Sequence, residues 1–581
     1  MILFWNPRWR EFITSFELSR KFELRNLKSA CRRVPVPVEN VMDFQSLLSQ
    51  FLNGNVATQA STSRSLMLFL PELILSASIV AMLLARLTSL DKILPTHWIA
   101  LLGGMGAFIN VLFQFCELRM DGSGPIEMFT GLAIHDSFSV FIRGLLLFFL
   151  VFVIALTVLS GIPDDEDAPD FYTLLSGAVV GMMLMSSANH LLMMFVGIEM
   201  ASVPSYALTG FLKGRRQSSE AALKFVVYGA GAAGVMLFGI SLLAGLTGTA
   251  EFPELGNRLH ALFTTGFGTQ QPEARVVLLA LLMITVGFAF KLSAVPFHFW
   301  CPDAFQGASA EVAGFLSIGS KAAAFALLVR FSLAVTGGST GGLPDLALVF
   351  GLGLGVLAVA TATFGNLAAY SQTNLKRLLA YSTIAHAGYM LMAVSAMLVL
   401  RSATSGVDPS QPIRAIEGLV YYLAVYLFMN LGAFSIVALL RNQLFSEEVD
   451  DYKGIVHQSP LLAVCMAICL FSLVGVPPLG GFYGKFFIFA AVFDAASVHW
   501  FMWVVLAAGG LNTVLSLYYY VGVLKVMCMQ DRPTDARPVS LTAQSSSGLY
   551  VLMISAMVLL LGTVWIGPLS LVARHAAEAF L

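Results

Sequence analysis

The sequence is poor in charged residues, which make up only 12% of its 581 positions. Soluble domains carry roughly 25% charged residues, so this chain has about half the usual density. Hydrophobic residues account for 57% of the chain, which leaves too little polar surface to cover a core in water. The composition therefore excludes a soluble domain and predicts an integral membrane protein.

The sequence also lacks the patterns of a redox or nucleotide-binding enzyme. Its six cysteines are scattered, and no cysteine spacing typical of an iron–sulfur cluster or a metal site joins them. Neither a G-x-G-x-x-G turn after a strand nor a P-loop is present. We therefore expect no cofactor and no metal in this chain, and a net charge of −1 gives no indication of a nucleic-acid partner.

Apolar runs long enough to cross a bilayer, about 20 residues each, follow one another along most of the chain. Short connections separate them, so an all-α, multi-pass domain in direct contact with lipid is predicted over residues 66–575. About fourteen spans are predicted, near residues 67–87, 97–117, 136–160, 171–188, 190–212, 220–247, 275–300, 309–333, 344–368, 375–400, 415–440, 459–494, 500–529 and 549–574.

Residues 1–65 form a basic N-terminal extension of different character. Aromatic residues such as Trp5 and Trp9 interleave with basic ones, as in an amphipathic segment on a membrane surface. A disordered tail is an equally open reading, as is a natural start at Met42 or Met67. No apolar stretch with a cleavage site follows, so a signal peptide is not predicted.

Lysine and arginine concentrate in alternate loops of the predicted spans. We call the side that carries them the basic side, and the positive-inside rule places this side in the cytoplasm. Its residues are Lys92, Lys213, Arg215, Arg216, Lys376, Arg377, Arg441, Lys453, Arg532 and Arg537.

Proline interrupts two of the predicted spans, within AVP at 294–296 and GVPP at 475–478. A proline inside a helix frees the carbonyl four residues earlier, here those of Leu292, Leu473 and Val474. Irregular backbone at membrane depth survives only against protein or a water-filled cavity. Paired interrupted helices in corresponding halves of a chain are typical of a transport site, and a packing kink is the alternative.

Seven titratable residues inside the predicted spans are candidates for a function, because each charge there costs roughly 2.5–3.5 kcal/mol. Such residues point to an ion or proton pathway, and histidine suits a relay because it titrates near neutrality. Two alternatives remain open: a Lys224 amine that extends to the membrane interface, and an ordinary buried histidine at His386. The residues are Glu199, Lys224, Lys291, Lys321, Lys485, His298 and His386.

Two pairs among these residues have a predicted geometry. Lys291 and His298 are seven positions apart, close to two helical turns, so a mild break would leave them on one face. Glu199 and Lys224 lie on successive spans joined by a short loop. We therefore expect the carboxylate and the ammonium of this second pair to face each other.

Four strings in this order, SSEAALKFVVYGA, KLSAVPFHFWCPDAFQGAS, NLKRLLAYSTIAHAGYM and GVPPLGGFYGKFFIF, resemble the antiporter-like subunits of respiratory complex I. Over roughly 66–575 the chain is most similar to the N subunit of the bacterial proton-pumping NADH:quinone oxidoreductase, the relative of mitochondrial subunit 2. The resemblance implies two inverted five-helix repeats, about 171–333 and about 344–529, with discontinuous helices seven and twelve. A loop at 248–274 departs from the pattern.

The resemblance also implies roles for the buried groups: a Glu199–Lys224 pair, a central Lys291 with its neighbour Lys321, and a distal Lys485. His298 and His386 would belong to the same polar axis. The chain would be a translocase subunit in the bacterial inner membrane, passing protons while partner subunits hold NADH, FMN, iron–sulfur clusters and quinone. A cation/proton antiporter subunit acting without NADH and an inert membrane-arm scaffold are the alternatives.

Overall fold

The computed structural model describes residues 60–580 apart from six short gaps. Residues 1–59, which hold nearly all of the predicted basic extension, lie outside the described part, so that prediction stays open. The gaps are 122–123, 264–270, 338–341, 404–405, 535–536 and 540–543.

Nineteen α-helices make up most of the described chain, together with four short 3₁₀ segments and one hairpin. The helices are α1 Thr62–Leu68, α2 Leu70–Leu87, α3 Thr96–Asp121, α4 Ser137–Ser160, α5 Ala168–Ser187, α6 Leu191–Thr209, α7 Arg216–Thr247, α8 Phe252–Leu262, α9 Pro272–Leu292, α10 Trp300–Gly307, α11 Ala310–Thr336, α12 Pro344–Ala369, α13 Leu375–Ser402, α14 Ser410–Leu444, α15 Pro460–Val474, α16 Gly480–Ala496, α17 Phe501–Met529, α18 Ser546–Thr563 and α19 Ile566–Ala577. The 3₁₀ segments are Leu90–Lys92, Val449–Tyr452, Ile455–His457 and Glu578–Phe580.

Thirteen helices in the described ranges are long and apolar enough to cross a membrane. The number of spans reaches 14 when the bent pair Val449–His457 and Pro460–Val474 counts as one. The helices α11, α13 and α14 are buried along their whole membrane-crossing windows, whereas α2, α3, α7 and α17 expose most of theirs. The predicted all-α, multi-pass fold is therefore confirmed, and three neighbouring helices form its interior.

The side opposite the basic side is closed by a β-hairpin and a short amphipathic helix. Strands β1, Ile126–Met128, and β2, Ala133–His135, pair antiparallel across a turn with positive φ at Phe129, Thr130 and Gly131. The loop at 248–274 contains α8, whose buried face carries Phe252, Leu255 and Leu259. Backbone bonds join both features to the connection between α5 and α6.

Both predicted helix breaks are present. The chain leaves α9 at Ser293 with φ 58° and re-enters a helix at α10, and it leaves α15 at Gly475 with φ 91° before α16. The first broken helix starts opposite the basic side and the second starts on it, so the two run in opposite directions. An inverted repeat requires this arrangement, and the repeat boundaries themselves stay a prediction.

Candidate functional site

Lys291 lies at the end of α9, directly before the first break, and is only 3% exposed. Its Nζ donates a hydrogen bond to Ser202 Oγ on α6 at 3.0 Å. Glu199 is one turn earlier on α6 and interacts electrostatically with Lys291. The central lysine therefore faces the Glu199 carboxylate of the fifth predicted span.

The first break is held by side chains from two other segments. Trp300 Nε1 donates to Phe290 O at 3.0 Å, and Val295 N–H donates to Thr361 Oγ1 on α12 at 3.0 Å. Non-helical backbone at membrane depth needs such partners, because lipid offers none. The break is thus a built feature of the helix interface, packed between α10 and α12.

His298 does not share a face with Lys291, so that prediction is wrong. The left-handed φ at Ser293 ends the helical register between the two residues, and a spacing of seven then no longer means two turns. The His298 ring lies 4.4 Å from the ring of Phe364 on α12. Its Nδ1 is buried and has no hydrogen-bond partner among the described residues.

Lys224 does not pair with Glu199 either, which corrects the second predicted pair. Its Nζ lies 2.9 Å from Glu220 Oε1 on its own helix and 2.8 Å from Asp303 Oδ2 on α10. Its side chain is 39% exposed, because its position near the basic end of α7 lets the amine reach the edge of the bundle. The snorkelling reading of Lys224 agrees with this geometry.

Glu220, Lys224, Asp303 and Arg377 form a partly exposed group that we call the surface cluster, and Asp303 is the carboxylate that two of its cations share. Arg377 on α13 donates to its Oδ1 at 2.6 Å while Lys224 donates to Oδ2. The sequence interpretation did not single out Asp303, although it stands inside the quoted string CPDAFQ. Its signal was its place just after a proline break, where a carboxylate meets the start of a short helix.

We expect Asp303→Asn to lower the free energy of unfolding by about 1–2 kcal/mol, since two partly exposed pairs, each worth up to about 1 kcal/mol, are weakened. Unfolding of the purified protein by titration with a denaturing detergent would measure it. Glu220→Gln removes only one partner of Lys224 and should cost about half as much. An equal cost for the two variants would contradict a shared role for Asp303.

Lys321 and His386 meet in the interior of the bundle. Lys321, in the middle of α11, donates from Nζ to Thr383 O on α13 at 2.9 Å. His386 is one turn further along α13, with Nδ1 bonded to Tyr422 OH on α14 and Nε2 3.3 Å from Tyr520 OH on α17. The structure thus brings both predicted residues into one buried polar cluster.

Lys485 occupies the second break. Its Nζ donates to Leu473 O at 3.0 Å and to Val474 O at 2.9 Å. These are the two carbonyls that the prolines at 477 and 478 were predicted to free, and that prediction is confirmed. The ammonium also lies 4.4 Å above the ring of Tyr389.

Uncharged polar residues between the lysines escaped the sequence interpretation. On α14, Asn430 Nδ2 donates to Tyr426 OH at 3.0 Å and to Ser317 Oγ on α11 at 2.7 Å. The available signal was spacing, because Tyr422, Tyr426 and Asn430 recur every four residues and share one helix face. A search for charge alone passes over such a row.

The assembled site suits proton transfer. Each of Lys291, Lys321 and Lys485 hydrogen-bonds only neutral oxygens in the part of the chain that the structure describes. Burial disfavours an ammonium, and neutral oxygens offset that cost less than a carboxylate would. Across the described ranges, no three His, Cys, Asp or Glu side chains are grouped as a metal site requires.

The comparison with known sequences agrees with the arrangement. A family model described as "NADH:quinone oxidoreductase/Mrp antiporter, TM" matches residues 188–516. NADH-quinone oxidoreductase subunit N of Anaeromyxobacter sp. is 43% identical over 434 residues, which cover 71% of this chain and 79% of the relative. NADH-quinone oxidoreductase subunit N 2 of Chloroherpeton thalassium is 34% identical over 535 residues, 91% of this chain and 96% of the relative.

Solved structures share the fold. A chain of respiratory complex I from Thermus thermophilus with bound aureothin superposes with a TM-score of 0.65 at 29% identity, over 86% of this chain and 98% of that one. A chain of the Mrp complex from Dietzia sp. superposes with a TM-score of 0.73 at 18% identity, over 89% and 98%, a likeness that shows the fold alone. The chain therefore belongs to the subunit N family of NADH-quinone oxidoreductases.

Proposed function

We propose that this chain is a proton-translocating membrane subunit of an NADH:quinone oxidoreductase. Free energy from quinone reduction on other subunits would move H⁺ along the buried lysines, from Lys291 past Lys321 to Lys485. Glu199 and His386 would assist, Glu199 as the carboxylate facing Lys291 and His386 as the imidazole between two tyrosine hydroxyls. The geometry supports a lesser role for His298 and places Lys224 in the surface cluster.

The observation that carries the proposal is the bonding of the three buried lysines. An ammonium paired with a carboxylate is held in its charged form, whereas one bonded to neutral oxygens has charged and neutral forms of more similar free energy. A site of this kind can take up and release a proton when a neighbouring charge changes. Moving one proton against 100 mV requires about 2.3 kcal/mol, which a change in one nearby charge can supply.

The proposal also places this chain among partners. The names of its relatives support a place among the subunits of an NADH-quinone oxidoreductase. Its neighbours would be the other membrane-arm subunits, and partner subunits would hold NADH, FMN, iron–sulfur clusters and quinone. The chain would lie in the bacterial inner membrane, and the positive-inside rule supports an orientation with the basic side towards the cytoplasm. The chain itself would contribute a proton path and no electron path.

We expect Lys291→Ala to abolish most NADH-driven ΔpH formation in inverted membrane vesicles while leaving the complex assembled, because the central carrier is lost. Acridine-dye quenching would follow ΔpH, and native electrophoresis of solubilised membranes would follow assembly. Lys213→Ala is the matched control, since Lys213 is exposed and pairs with Asp167 on the basic side. Its ΔpH should equal that of the native enzyme.

The same vesicles separate the proposal from the antiporter alternative. A gradient that depends on NADH and ignores added Na⁺ supports the proton-pumping subunit. Exchange of Na⁺ or K⁺ for H⁺ without NADH, unchanged by Lys291→Ala, would overturn it in favour of the antiporter. A normal NADH-driven gradient in Lys291→Ala would remove that lysine from the path.

A further inference from the structure

A carboxylate that the proposed path does not use lies unpaired inside the bundle. Glu311 is in the first turn of α11, is 1% exposed, and neither of its carboxylate oxygens has a hydrogen-bond partner among the described residues. Native proteins rarely leave a buried acidic group unpaired, because desolvation of the charged form costs several kcal/mol. Glu311 therefore calls for a functional explanation.

Lys376 interacts with Glu311 without an ion-pair contact and belongs to a cluster of charged groups with Arg441 and Glu447. Lys376 Nζ lies 2.9 Å from Glu447 Oε1, and Arg441 Nε lies 3.2 Å from the same oxygen. Lys376 also donates to Ala308 O at 2.6 Å, three residues before Glu311, and interacts electrostatically with Glu311. Two cations and two carboxylates make this cluster neutral when Glu311 is ionised, and protonation of Glu311 leaves it with one positive charge.

The cluster borders a cavity that opens on the basic side. The cavity has a volume of about 430 Å³ and is lined by polar residues that include Asn374, Arg441 and Glu447. A water molecule occupies about 30 Å³ in the liquid, so several waters fit. Glu447, which lines the cavity, is thus paired with Lys376, the cation that interacts electrostatically with Glu311.

Polar side chains recur further inward from Glu311, beyond the apolar residues 312–316 of α11. Ser317, six residues further, bonds Asn430, and Asn430 bonds Tyr426. The Oδ1 of Asn430 has no partner among the described residues and can accept a further hydrogen bond. Tyr426 also interacts with the side chain of Thr383, and the backbone carbonyl of Thr383 accepts a hydrogen bond from Lys321 Nζ.

We propose that Glu311 is the group through which Lys321 takes up protons from the basic side. A hydronium ion in the cavity would deliver a proton to the Glu311 carboxylate, which becomes a neutral carboxyl group, and a neutral water remains. The carboxyl group would release that proton inward, through water beside the polar side chains of Ser317 and Tyr426, to the neutral amine of Lys321, which becomes an ammonium. Glu311 then returns to the carboxylate form, and the net result is one proton moved from the cavity to the Lys321 amine.

This inference rests on the proposed function, and Glu311→Gln tests it. The amide keeps the size of the side chain and cannot exchange a proton in this way. We expect it to slow NADH-driven ΔpH formation in vesicles roughly 100-fold, the low end for a positioned acid or base. Glu311→Asp, which retains the carboxylate, should recover a large part of the rate.

Glu417 provides the matched control. It is a partly buried carboxylate on α14 near the opposite side, where Ser570 Oγ donates to it. Glu417→Gln should pump at the native rate. Native rates in Glu311→Gln, with Lys291→Ala inactive, would overturn the role of Glu311 and leave the proposed function standing, whereas native rates in both would overturn both.

A second measurement does not depend on turnover or on a variant that assembles. Dicyclohexylcarbodiimide is a hydrophobic reagent that adds to protonated carboxyl groups, and peptide mass mapping of the treated native complex locates the adduct. A proton-accepting Glu311 should be modified, and Glu417 should not be. Absence of an adduct at Glu311 would contradict its cycling through the protonated form.

Discussion

Lys485→Arg is expected to assemble normally and to lose proton pumping almost completely. The guanidinium can still donate to the two carbonyls that the second break frees, Leu473 O and Val474 O. It remains protonated at any physiological pH, so it cannot release a proton as a lysine amine can. We expect NADH-driven ΔpH formation to fall roughly 100-fold, the low end for a positioned acid–base group.

Two further variants make this test specific. Lys525→Arg changes an exposed lysine on α17 and should pump at the native rate. Lys485→Met removes the donor and leaves two buried carbonyls without a hydrogen-bond partner. Each unpaired carbonyl should lower the free energy of unfolding by about 1–3 kcal/mol. If Lys485→Arg pumps normally, Lys485 serves only to hold the break together, and the proton path does not include it.

Arg330→Ala is expected to give a large loss of stability. Arg330 on α11 is buried and lies 2.6 Å from Asp136 Oδ1, and it also donates to Ser186 O at 2.7 Å. Asp136 caps α4 through the Ser139 N–H. The substitution strands a buried carboxylate, which typically costs about 3–5 kcal/mol.

The level of assembled complex in membranes and detergent-induced unfolding would measure this loss. Arg86→Ala breaks an exposed pair with Asp170 and should cost at most about 1 kcal/mol. The double variant Asp136→Asn with Arg330→Met should lose less than Arg330→Ala alone, because no charge is left stranded. Equal behaviour of Arg330→Ala and Arg86→Ala would show that this pair contributes little.

The membrane spans and the helix breaks could be predicted from the sequence, because a lipid bilayer restricts which segments can cross it. The predicted spans agree with the helices to within a few residues in most cases, because only a run of about 20 apolar residues crosses a bilayer. Pro296 and the prolines at 477 and 478 marked both breaks, because a proline frees a backbone carbonyl wherever a helix surrounds it. The carbonyls that bind Lys485 were predictable for the same reason.

The partners of the buried groups could not be read in this way. Lys224 binds Asp303, which is 79 positions away in the sequence. Lys291 at the end of α9 faces Glu199 on α6. His298 does not lie on the same face as Lys291, because the positive φ of Ser293 ends the helix between them. Such outcomes depend on how each helix is turned about its axis, which hydrophobic periodicity does not specify when a helix is apolar all round.

The sequence by itself determined that the chain lies in a membrane, where its helices lie, where two of them break and that Lys291, Lys321 and Lys485 are buried. Those properties follow from local rules of hydration and backbone bonding. Only the tertiary structure decided which oxygen each lysine binds. It also decided that Asp303 pairs with two cations of the surface cluster and that Glu311 has no ion-pair partner among the described residues although it lies near Lys376. Contacts of this kind form between segments distant in sequence, and close packing of α11, α13 and α14 selects among them.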